Sequence, residues 1–436
     1  MDGTLGHFWT DINDVYRFDE ANDGYVRLTD DMVFHIDTLR TRQYLAEFGS
    51  NIEPPLVSPP LVYAITGTAP AVFFDSAGVS RANVFGDGAS TQNVRMRGVV
   101  TGVPLDNIVD GQFVRVEVSI PEVTRWSGLL GMIETFELGR GGRGNRWSAR
   151  TRDFDPIEVE IRRGHKLVLT TTWSVEGPDD KRIVRSPLEI GSISKKPLPW
   201  HEHLRPLMAI QDLINLAYQG FVPAEQANVQ FEYQDGLAPL RGPEMWNSRL
   251  MAVPMGVKKP SSMTEFPMFY LSQLKGAVGL RNWIRLDRKH PRATGPVTKR
   301  YRFRTGGAEV RLTEVAMGIE YWTAAHRRTA QWTRPRRRGE PLPAALGRYV
   351  GPSFTEFVGD LDIWSQKFWE AYNSLKHVPN YEYDIYEVAT LANSGALLLQ
   401  GALLNRVALN KQLMKALCDS HRNYNLRQMT QEVVNR

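Results

Sequence analysis

Cysteine and long apolar runs are both scarce in this chain of 436 residues. The single cysteine, Cys418, excludes a disulfide within the chain and favours a reducing compartment. The longest apolar stretch, Ala396 to Leu404, is interrupted by Gln400 and is far too short to cross a bilayer. The segment Met1 to Thr4 is acidic and has no apolar signal core. We therefore expect a cytoplasmic protein with no membrane partner.

Motifs that hold cofactors or metals are missing as well. The glycine-rich segment Gly139 to Gly144 matches neither a Walker A nor a dinucleotide fingerprint, and we interpret it as a hairpin tip, with an RNA-contacting loop as the alternative. His201 and His203 have metal-ligand side chains, but no third or fourth ligand is identifiable, so we interpret them as surface histidines. No G-x-S-x-G nucleophile elbow occurs. The sequence predicts no cofactor and no metal site.

Residues 1–200 have the pattern of β-structure. Val114 to Val118 and Ile157 to Ile161 alternate apolar and charged side chains, and glycine-containing turns separate such runs. The pattern predicts an antiparallel sheet domain, sandwich-like or barrel-like. A helix at Leu204 to Tyr218 and a further strand at Val229 to Tyr233 are predicted to follow.

From about Phe266 the pattern becomes helical. The predicted helices are Glu309–Arg328, Ser353–Val378, Tyr383–Leu404, Val407–Leu417 and a short one from Arg422 onward. Residues 329–352 are rich in Arg, Gly and Pro and are predicted to form a linking loop. The fold class is therefore α+β, an N-terminal antiparallel β-rich domain followed by a C-terminal all-α helical bundle. The predicted domains are a β-rich sensor or regulatory domain at 1–260, a basic helical connector at 261–305 and a helical domain at 306–436.

The end of the second long predicted helix is the most informative segment. Asn373 and His377 are four residues apart, so they lie one turn apart on a face that differs from the apolar face of this helix. Pro379 moves Val378 out of the helical region and ends the helix. An imidazole at this exit is suited to proton transfer near neutral pH. The alternative is that His377 and Lys376 only stabilise the helix C-terminus through its dipole.

Positive charge is concentrated in residues 281–340, which we call the basic belt. The net charge is +5, but the basic belt holds sixteen Lys and Arg against five Asp and Glu. Guanidinium groups fork onto phosphate oxygens and release counterions, so we favour nucleic-acid contact for the belt as a whole. The predicted RNA-binding residues are Arg285, Lys289, Arg334, Arg336, Arg337 and Arg338. For the 334–338 loop alone we favour a solvated loop, because the chain has 40 Arg and 13 Lys and arginine is its default base.

The order of these features resembles the ApeA-like family of bacterial anti-phage proteins. These proteins join a β-rich N-terminal domain to a C-terminal HEPN helical domain, and the resemblance covers nearly the whole chain. The features that carry it are Gly3-Thr4-Leu5, Trp126 after a β run, the mixed segment 200–260, Ile319-Glu320-Tyr321-Trp322 with His326, Trp364 with Asn373 and His377, and the helix from Asp384 to Leu404.

The resemblance implies a metal-independent endoribonuclease that acts in antiviral defence by abortive infection. In HEPN domains an Arg-Asn pair precedes a His, with four residues between the Arg and the His. The His acts on the attacking 2′-hydroxyl or on the leaving oxygen, and the Arg stabilises charge on the phosphate. Two such motifs usually meet across a dimer. The resemblance thus implies RNA, with tRNA among the substrates, as the partner, a homodimer or higher homo-oligomer, and a phage protein as trigger.

This sequence departs from the motif at one position, because Tyr372 stands where the Arg is expected. Lys376 could supply the missing cation, although an ammonium group lacks the fork of a guanidinium. A symmetry-related copy could also bring Arg406 or Arg422. The predicted catalytic residues are His377, Asn373, Lys376, Tyr372 and Glu320.

A literal Arg-x4-His match occurs elsewhere, at Arg285 to His290. About two to three matches of this kind are expected by chance in a chain with this much arginine, so the pattern has little diagnostic value. The match also lies before the helical bundle. We therefore interpret Arg285 and His290 as part of the basic belt.

Two hypotheses follow from the sequence. In the first, the chain is an active HEPN ribonuclease with His377 as general acid or base. In the second, it is a catalytically degenerate HEPN protein that binds RNA or another protein. The β-rich domain is expected to recognise the trigger or to restrain the bundle, and an exposed aromatic patch among Trp126, Phe136 and Trp147 would indicate a partner surface. The alternative for each of these aromatic residues is a place in the core.

Overall fold

The computed structural model describes most of the chain, and everything below refers to those residues. They are 3–41, 56–67, 69–83, 89–105, 108, 111–121, 123–137, 146–152, 155–178, 180–231, 243–257, 260, 266–303, 306–329, 332–380 and 382–436. Strands dominate up to Asn247, and helices dominate from Ala277 onward.

The strands are all paired antiparallel. Their bounds are β1 Thr4–Trp9, β2 Asn22–Leu28, β3 Phe34–Thr41, β4 Leu61–Thr66, β5 Ala69–Asn83, β6 Ala89–Thr101, β7 Gln112–Ile120, β8 Met132–Glu137, β9 Arg146–Thr151, β10 Ile157–Arg162, β11 His165–Thr171, β12 Ser174–Glu176, β13 Ile183–Arg185, β14 Leu188–Pro199, β15 Gln226–Gln230 and β16 Glu244–Asn247. The strand pairs β8–β9 and β12–β13 stand apart from the main sheet.

The main sheet closes on itself at one end and stays open at the other. Its order is β10-β11-β14-β7-β15-β16-β6-β3-β2-β1-β4-β5, and β5 also pairs with β6. The six strands from β6 to β5 therefore form a closed ring, which corresponds to the barrel-like alternative. The strands of the open part alternate between buried and partly exposed side chains. In β7, Val116, Val118 and Ile120 are buried, while Glu117 and Ser119 between them are partly exposed. The predicted antiparallel β-rich domain is confirmed.

Helices cover the open part of the sheet and form the C-terminal region. Their bounds are α1 Thr124–Ser127, α2 Trp200–Tyr218, α3 Ser248–Met251, α4 Ala277–Lys289, α5 Pro291–Thr298, α6 Ala308–His326, α7 Leu342–Val350, α8 Pro352–Val358, α9 Leu361–His377, α10 Ile385–Ala408, α11 Gln412–Cys418 and α12 Tyr424–Asn435. None of the helices in the described ranges combines the length and the apolar character needed to cross a bilayer. The predicted C-terminal helical region is confirmed.

The longest helix, α10, is the centre of the helical region. It is buried along most of its length and packs on α6, α4, α7, α11 and α12. Gly395 and Gly401 let neighbours approach closely, because a side chain at either position would collide with Phe368 or Met414. Buried residues of the strands and of these helices belong to one continuous hydrophobic core. The bundle is therefore packed against the β-rich region.

Two predicted boundaries in this region are wrong. The helix predicted at 353–378 is divided at Gly359, which has φ 87°, and at Asp360, whose carboxylate caps the N–H groups that begin α9. The loop predicted at 329–352 contains α7, where Pro341 precedes a helix with buried Leu346 and Tyr349. The segment was predicted to be a loop because it is rich in arginine and proline, and the apolar face of α7 is short.

Arg302 ties the helical region to the elements that follow the sheet. Its guanidinium donates to the Asp212 carboxylate at 2.5 Å, to the Met208 carbonyl at 2.8 Å and to the Arg249 carbonyl at 2.6 Å. The ion pair is almost fully buried. One side chain thus joins the start of the helical region to α2 and α3.

Candidate functional site

Three of the predicted catalytic residues meet where α9 crosses α6. The hydroxyl of Tyr372 donates a hydrogen bond to Glu320 Oε2 at 3.1 Å and accepts one from Lys376 Nζ at 3.3 Å. Tyr372 and Lys376 are four residues apart on α9, so they share a face, and Glu320 reaches them from α6. The phenol ring is buried, whereas the Lys376 side chain is exposed. The cluster therefore places an ammonium group at the surface, over a buried phenol and a partly buried carboxylate.

The other two predicted catalytic residues lie at the exit of α9. The helix ends at His377, and the N–H of Val378 bonds to the carbonyl of Ser374, as expected for a helix stopped by Pro379. Asn373 is partly buried, and the side chain of His377 is exposed and makes no hydrogen bond to the described residues. The structure thus places an accessible imidazole next to the ammonium of Lys376 along the chain, but it does not bond His377 to the Tyr372 cluster.

A second group of titratable side chains lies at the C-terminal end of α6. His290 stands at the joint between α4 and α5, and His326 is the last residue of α6. Their ring centres are 5.2 Å apart, and Nδ1 of His290 lies 3.1 Å from the hydroxyl of Tyr321. His326 Nδ1 donates to the Trp322 carbonyl at 2.9 Å, which leaves Nε2 as the proton acceptor of this ring.

Burial and positive neighbours keep both of these imidazoles neutral near pH 7. Burial is the largest cause that lowers the pKa of His290, followed by the charges of His326, Lys289 and Arg406. Burial also lowers the pKa of His326, against the opposing bond to Trp322, and Arg406 and Lys289 lower it further. Two neutral imidazoles beside fixed cations can accept protons at neutral pH. Sequence reasoning missed this pair, because His290 was interpreted as a chance match.

The Arg-x4-His match itself does not assemble into a site. Arg285 lines a separate cleft of about 170 Å³ between β10, α2 and α4, together with Arg162, Arg205 and Arg281. His290 instead contacts Tyr321 and His326. The interpretation of this match as accidental is consistent with that separation. Lys289, predicted to bind RNA, is exposed next to His290.

Comparison with known families decides what the β-rich region is. A family model described as ApeA N-terminal domain 1 matches residues 5–283, which is more than half of the chain. The chain belongs to the ApeA family. ApeA proteins form an anti-phage defence family, and the predicted family is confirmed. The match ends within α4, so it does not include α6 or α9. No curated protein and no solved structure matches this ApeA-family chain.

The arginine loop of this ApeA-family chain is exposed but anchored. Arg334, Arg336, Arg337 and Arg338 are all exposed to solvent. The backbone N–H of Arg337 donates to Glu340 Oε2 at 2.7 Å. Arg348 of α7 donates to the same carboxylate at 2.9 Å and to the Pro335 carbonyl at 3.0 Å. The loop is held against α7 while its guanidinium groups face water.

The paired histidines at the start of α2 differ from the prediction. His201 is exposed, as predicted for a surface histidine. His203 is fully buried, and its Nε2 donates to the Phe113 carbonyl at 2.8 Å, so its assignment to the surface is wrong. The two residues lie two apart at the start of α2, so their side chains are rotated by about 200° around the helix axis and point in nearly opposite directions. Among the described residues, no three His, Cys, Asp or Glu side chains are grouped so as to hold a metal ion.

The aromatic residues singled out in the ApeA N-terminal domain fall into different environments. Trp126 is fully buried and belongs to the main core, whereas Phe136 of β8 is exposed. The side chain of Trp147 and the segment Gly139 to Gly144 lie outside the described part of the chain. Trp126 therefore has the core role that was its alternative, and Phe136 is a surface aromatic.

Proposed function

We propose that this ApeA-family chain is a metal-independent ribonuclease of the HEPN type, in which residues 306–436 cut RNA during anti-phage defence. The observation that supports this most is the arrangement at the exit of α9. There Lys376 is bonded to Tyr372, Tyr372 is bonded to Glu320, and the exposed imidazole of His377 follows directly. A fixed cation beside an accessible proton-transfer group is what cleavage of a phosphodiester requires.

In the proposed reaction His377 takes the proton of a ribose 2′-hydroxyl. The 2′-oxygen then forms a bond to phosphorus, the bond from phosphorus to the 5′-oxygen breaks, and the leaving oxygen receives a proton. The products are a 2′,3′-cyclic phosphate and a 5′-hydroxyl. The ammonium of Lys376 stabilises the charge on the phosphate oxygens, Tyr372 and Glu320 hold that ammonium in place, and Asn373 offers an amide one turn before His377.

A single imidazole cannot both remove the first proton and deliver the second at the same moment. We propose that a second copy of the chain supplies the other imidazole, so that the active form is a homodimer or a higher homo-oligomer. The basic belt, with Arg285, Lys289 and the arginine loop at 334–338, is proposed to hold the RNA backbone. Residues 1–260 are proposed to sense a phage protein, and 261–305 to connect the two parts.

The second candidate function is a degenerate HEPN domain that binds RNA or protein without cutting. A specific observation favours it, namely that Tyr372 occupies the place of the motif arginine. The Tyr372 hydroxyl bonds to Glu320 and Lys376, and a phenol cannot supply the positive charge of a guanidinium at this position. In that case His377 and Lys376 only stabilise the C-terminal end of α9 through the helix dipole.

Incubation with total bacterial RNA and tRNA, in the presence of a chelator, tests the proposal. The wild type is expected to produce fragments that end in 2′,3′-cyclic phosphate, and His377→Ala is expected to produce none. His421→Ala is the matched control, because His421 is another exposed histidine of the helical region. Cleavage that survives in His377→Ala would exclude His377 as the general acid or base, and His290 and His326 would then be the next candidates. RNA retardation on a gel by both proteins, without cleavage, would favour the binding function.

A further inference from the structure

A cavity of about 400 Å³ lies where the end of α2 meets α6, α10 and α12. Arg300, Arg311 and Arg422 line it, and no acidic side chain is among the described residues of its wall. Cavities of roughly 300–1,000 Å³ are the size that small ligands occupy. The site is separate from the exit of α9 and from the pair of His290 and His326.

The two guanidiniums of Arg300 and Arg311 have uncharged partners among the described residues. Arg311 donates to the side-chain carbonyl of Asn393 at 2.5 Å, and Arg300 donates to the Tyr301 hydroxyl. Burial lowers the pKa of Arg311, and the positive charge of Arg300 lowers it further. Glu314, which raises the pKa of Arg311, does not line the cavity. Two like charges therefore face one space with no carboxylate in its described wall.

A buried amide group adds a third feature. Gln400 is 4% exposed and lines the cavity, and its Nε2 has no hydrogen-bond partner among the described residues. A buried donor without a partner destabilises the folded state, so a ligand acceptor at this point would relieve a defect of the free protein. Leu426 and Met429 supply an apolar side to the same cavity.

We propose that this cavity binds a nucleoside phosphate. Arg300 and Arg311 would fork onto the phosphate oxygens, Gln400 would donate to an acceptor of the ligand, and Leu426 and Met429 would contact the base. The proposal is independent of RNA cleavage. Such a ligand would contact the end of α2, which lies within the matched ApeA domain, and helices that lie beyond it, so it would bridge the two regions of the chain.

Isothermal titration calorimetry of the full chain tests this site directly. The probes are adenosine and guanosine 5′-monophosphates, the corresponding nucleosides without phosphate, inorganic phosphate and a short single-stranded RNA. At least one nucleotide is expected to bind, and Arg300→Gln and Arg311→Gln are each expected to weaken its binding by about tenfold or more. Arg427→Gln is the matched control, because Arg427 lies on α12 but donates to the Glu356 carbonyl outside the cavity. It is expected to bind as the wild type does.

Gln400→Glu gives a second readout that does not depend on a loss of folding. A carboxylate here would neutralise the pair of arginines, so the free variant is expected to unfold at a temperature equal to or above that of the wild type, and to bind no nucleotide. If the space is not an anion site, a buried unpaired carboxylate should lower that temperature instead.

Three results would overturn the assignment. The first is that no nucleotide binds at millimolar concentration, or that its binding is unchanged in Arg300→Gln and Arg311→Gln. The second is that inorganic phosphate binds as tightly as the nucleotides, which would exclude recognition of the nucleoside. The third is that the RNA alone binds in a way that depends on these arginines.

Discussion

The hydroxyl of Tyr372 lies 3.1 Å from Oε2 of Glu320 and donates to it. This phenol connects a carboxylate on α6 to the ammonium of Lys376 on α9. In the proposed alignment with the HEPN motif, it replaces the guanidinium of the motif. The replacement preserves a positive charge near the helix exit, but it moves that charge one turn further along α9. The nuclease hypothesis requires that the ammonium of Lys376 replace the guanidinium, and this is possible only if Tyr372 and Glu320 hold the ammonium in place. The binding hypothesis has no such requirement.

Tyr372→Arg should raise RNA cleavage if the proposed function is right. A guanidinium beside Glu320 would restore a bidentate cation, and one such fixed group at a transition state is worth roughly 10²–10³ in rate. Tyr372→Phe should lower cleavage, because Lys376 loses its acceptor, and should cost about 1 kcal/mol of unfolding free energy. Initial rates with a chelator and urea unfolding measure both effects. Equal rates in wild type, Tyr372→Arg and Tyr372→Phe would make the cluster purely structural.

The β-rich region should lose stability on the acid side of neutrality because of His165. Its Nε2 is bonded to Ser192 Oγ at 2.8 Å, and burial, with the neighbouring His203, lowers its pKa from 6.5 to about 4. The unfolded chain therefore binds more protons between about pH 6.5 and about 4. The folded state accordingly loses stability as the pH falls through that window, by roughly 3 kcal/mol from this group.

Urea unfolding of wild type and His165→Gln at about pH 7.5 and about pH 4.5 measures that loss. The difference between the two proteins isolates His165 from Asp212, whose pKa burial raises to about 6 and which acts in the opposite direction. The variant should lose less stability than the wild type on acidification. His201→Gln, at an exposed site, should behave as the wild type does. A parallel loss in wild type and His165→Gln would contradict the prediction.

Removal of Asp212 should be among the most destabilising single changes in the described part of the chain. Asp212→Ala leaves the buried guanidinium of Arg302 without its carboxylate, and such a change typically costs about 3–5 kcal/mol. Asp23→Ala is the control, because Asp23 pairs with His7 at the surface and its loss should cost less than about 1 kcal/mol. Guanidinium-induced unfolding compares the two. Similar midpoints for both variants would show that Arg302 does not join the regions as described.

Gly395→Ala should destabilise the protein although alanine is the better helix former. The added Cβ would lie well inside van der Waals contact of the Phe368 ring, and such overpacking costs about 1–3 kcal/mol, more than the gain of about 1 kcal/mol in helix propensity. Gly295→Ala in α5 is the control, since its Cβ would meet only the flexible end of Lys299. That variant should be neutral or slightly stabilised. Thermal unfolding of both variants decides the point, and a stabilised Gly395→Ala would refute the close packing of α9 on α10.

Local patterns were sufficient to predict much of the architecture. Alternation in β7 and β10 predicted antiparallel strands, and the apolar period in α9 predicted a helix, because each pattern repeats with the geometry of its own element. The break at Gly359 and the short helix α7 were not predicted. The break depends on the conformation of one glycine, and α7 depends on an apolar face of only nine residues. A periodicity judged over many residues detects neither feature.

The sequence by itself determined the β-rich and helical regions, the family and the end of α9 at His377, since these depend on residues close together along the chain. Only the tertiary structure decided which side chains meet. It brought Glu320 to Tyr372, His290 to His326, and Arg300 to Arg311, and it buried His203 beneath the sheet. Such contacts depend on how helices and strands pack across long separations, and packing is set by the whole core rather than by any local segment.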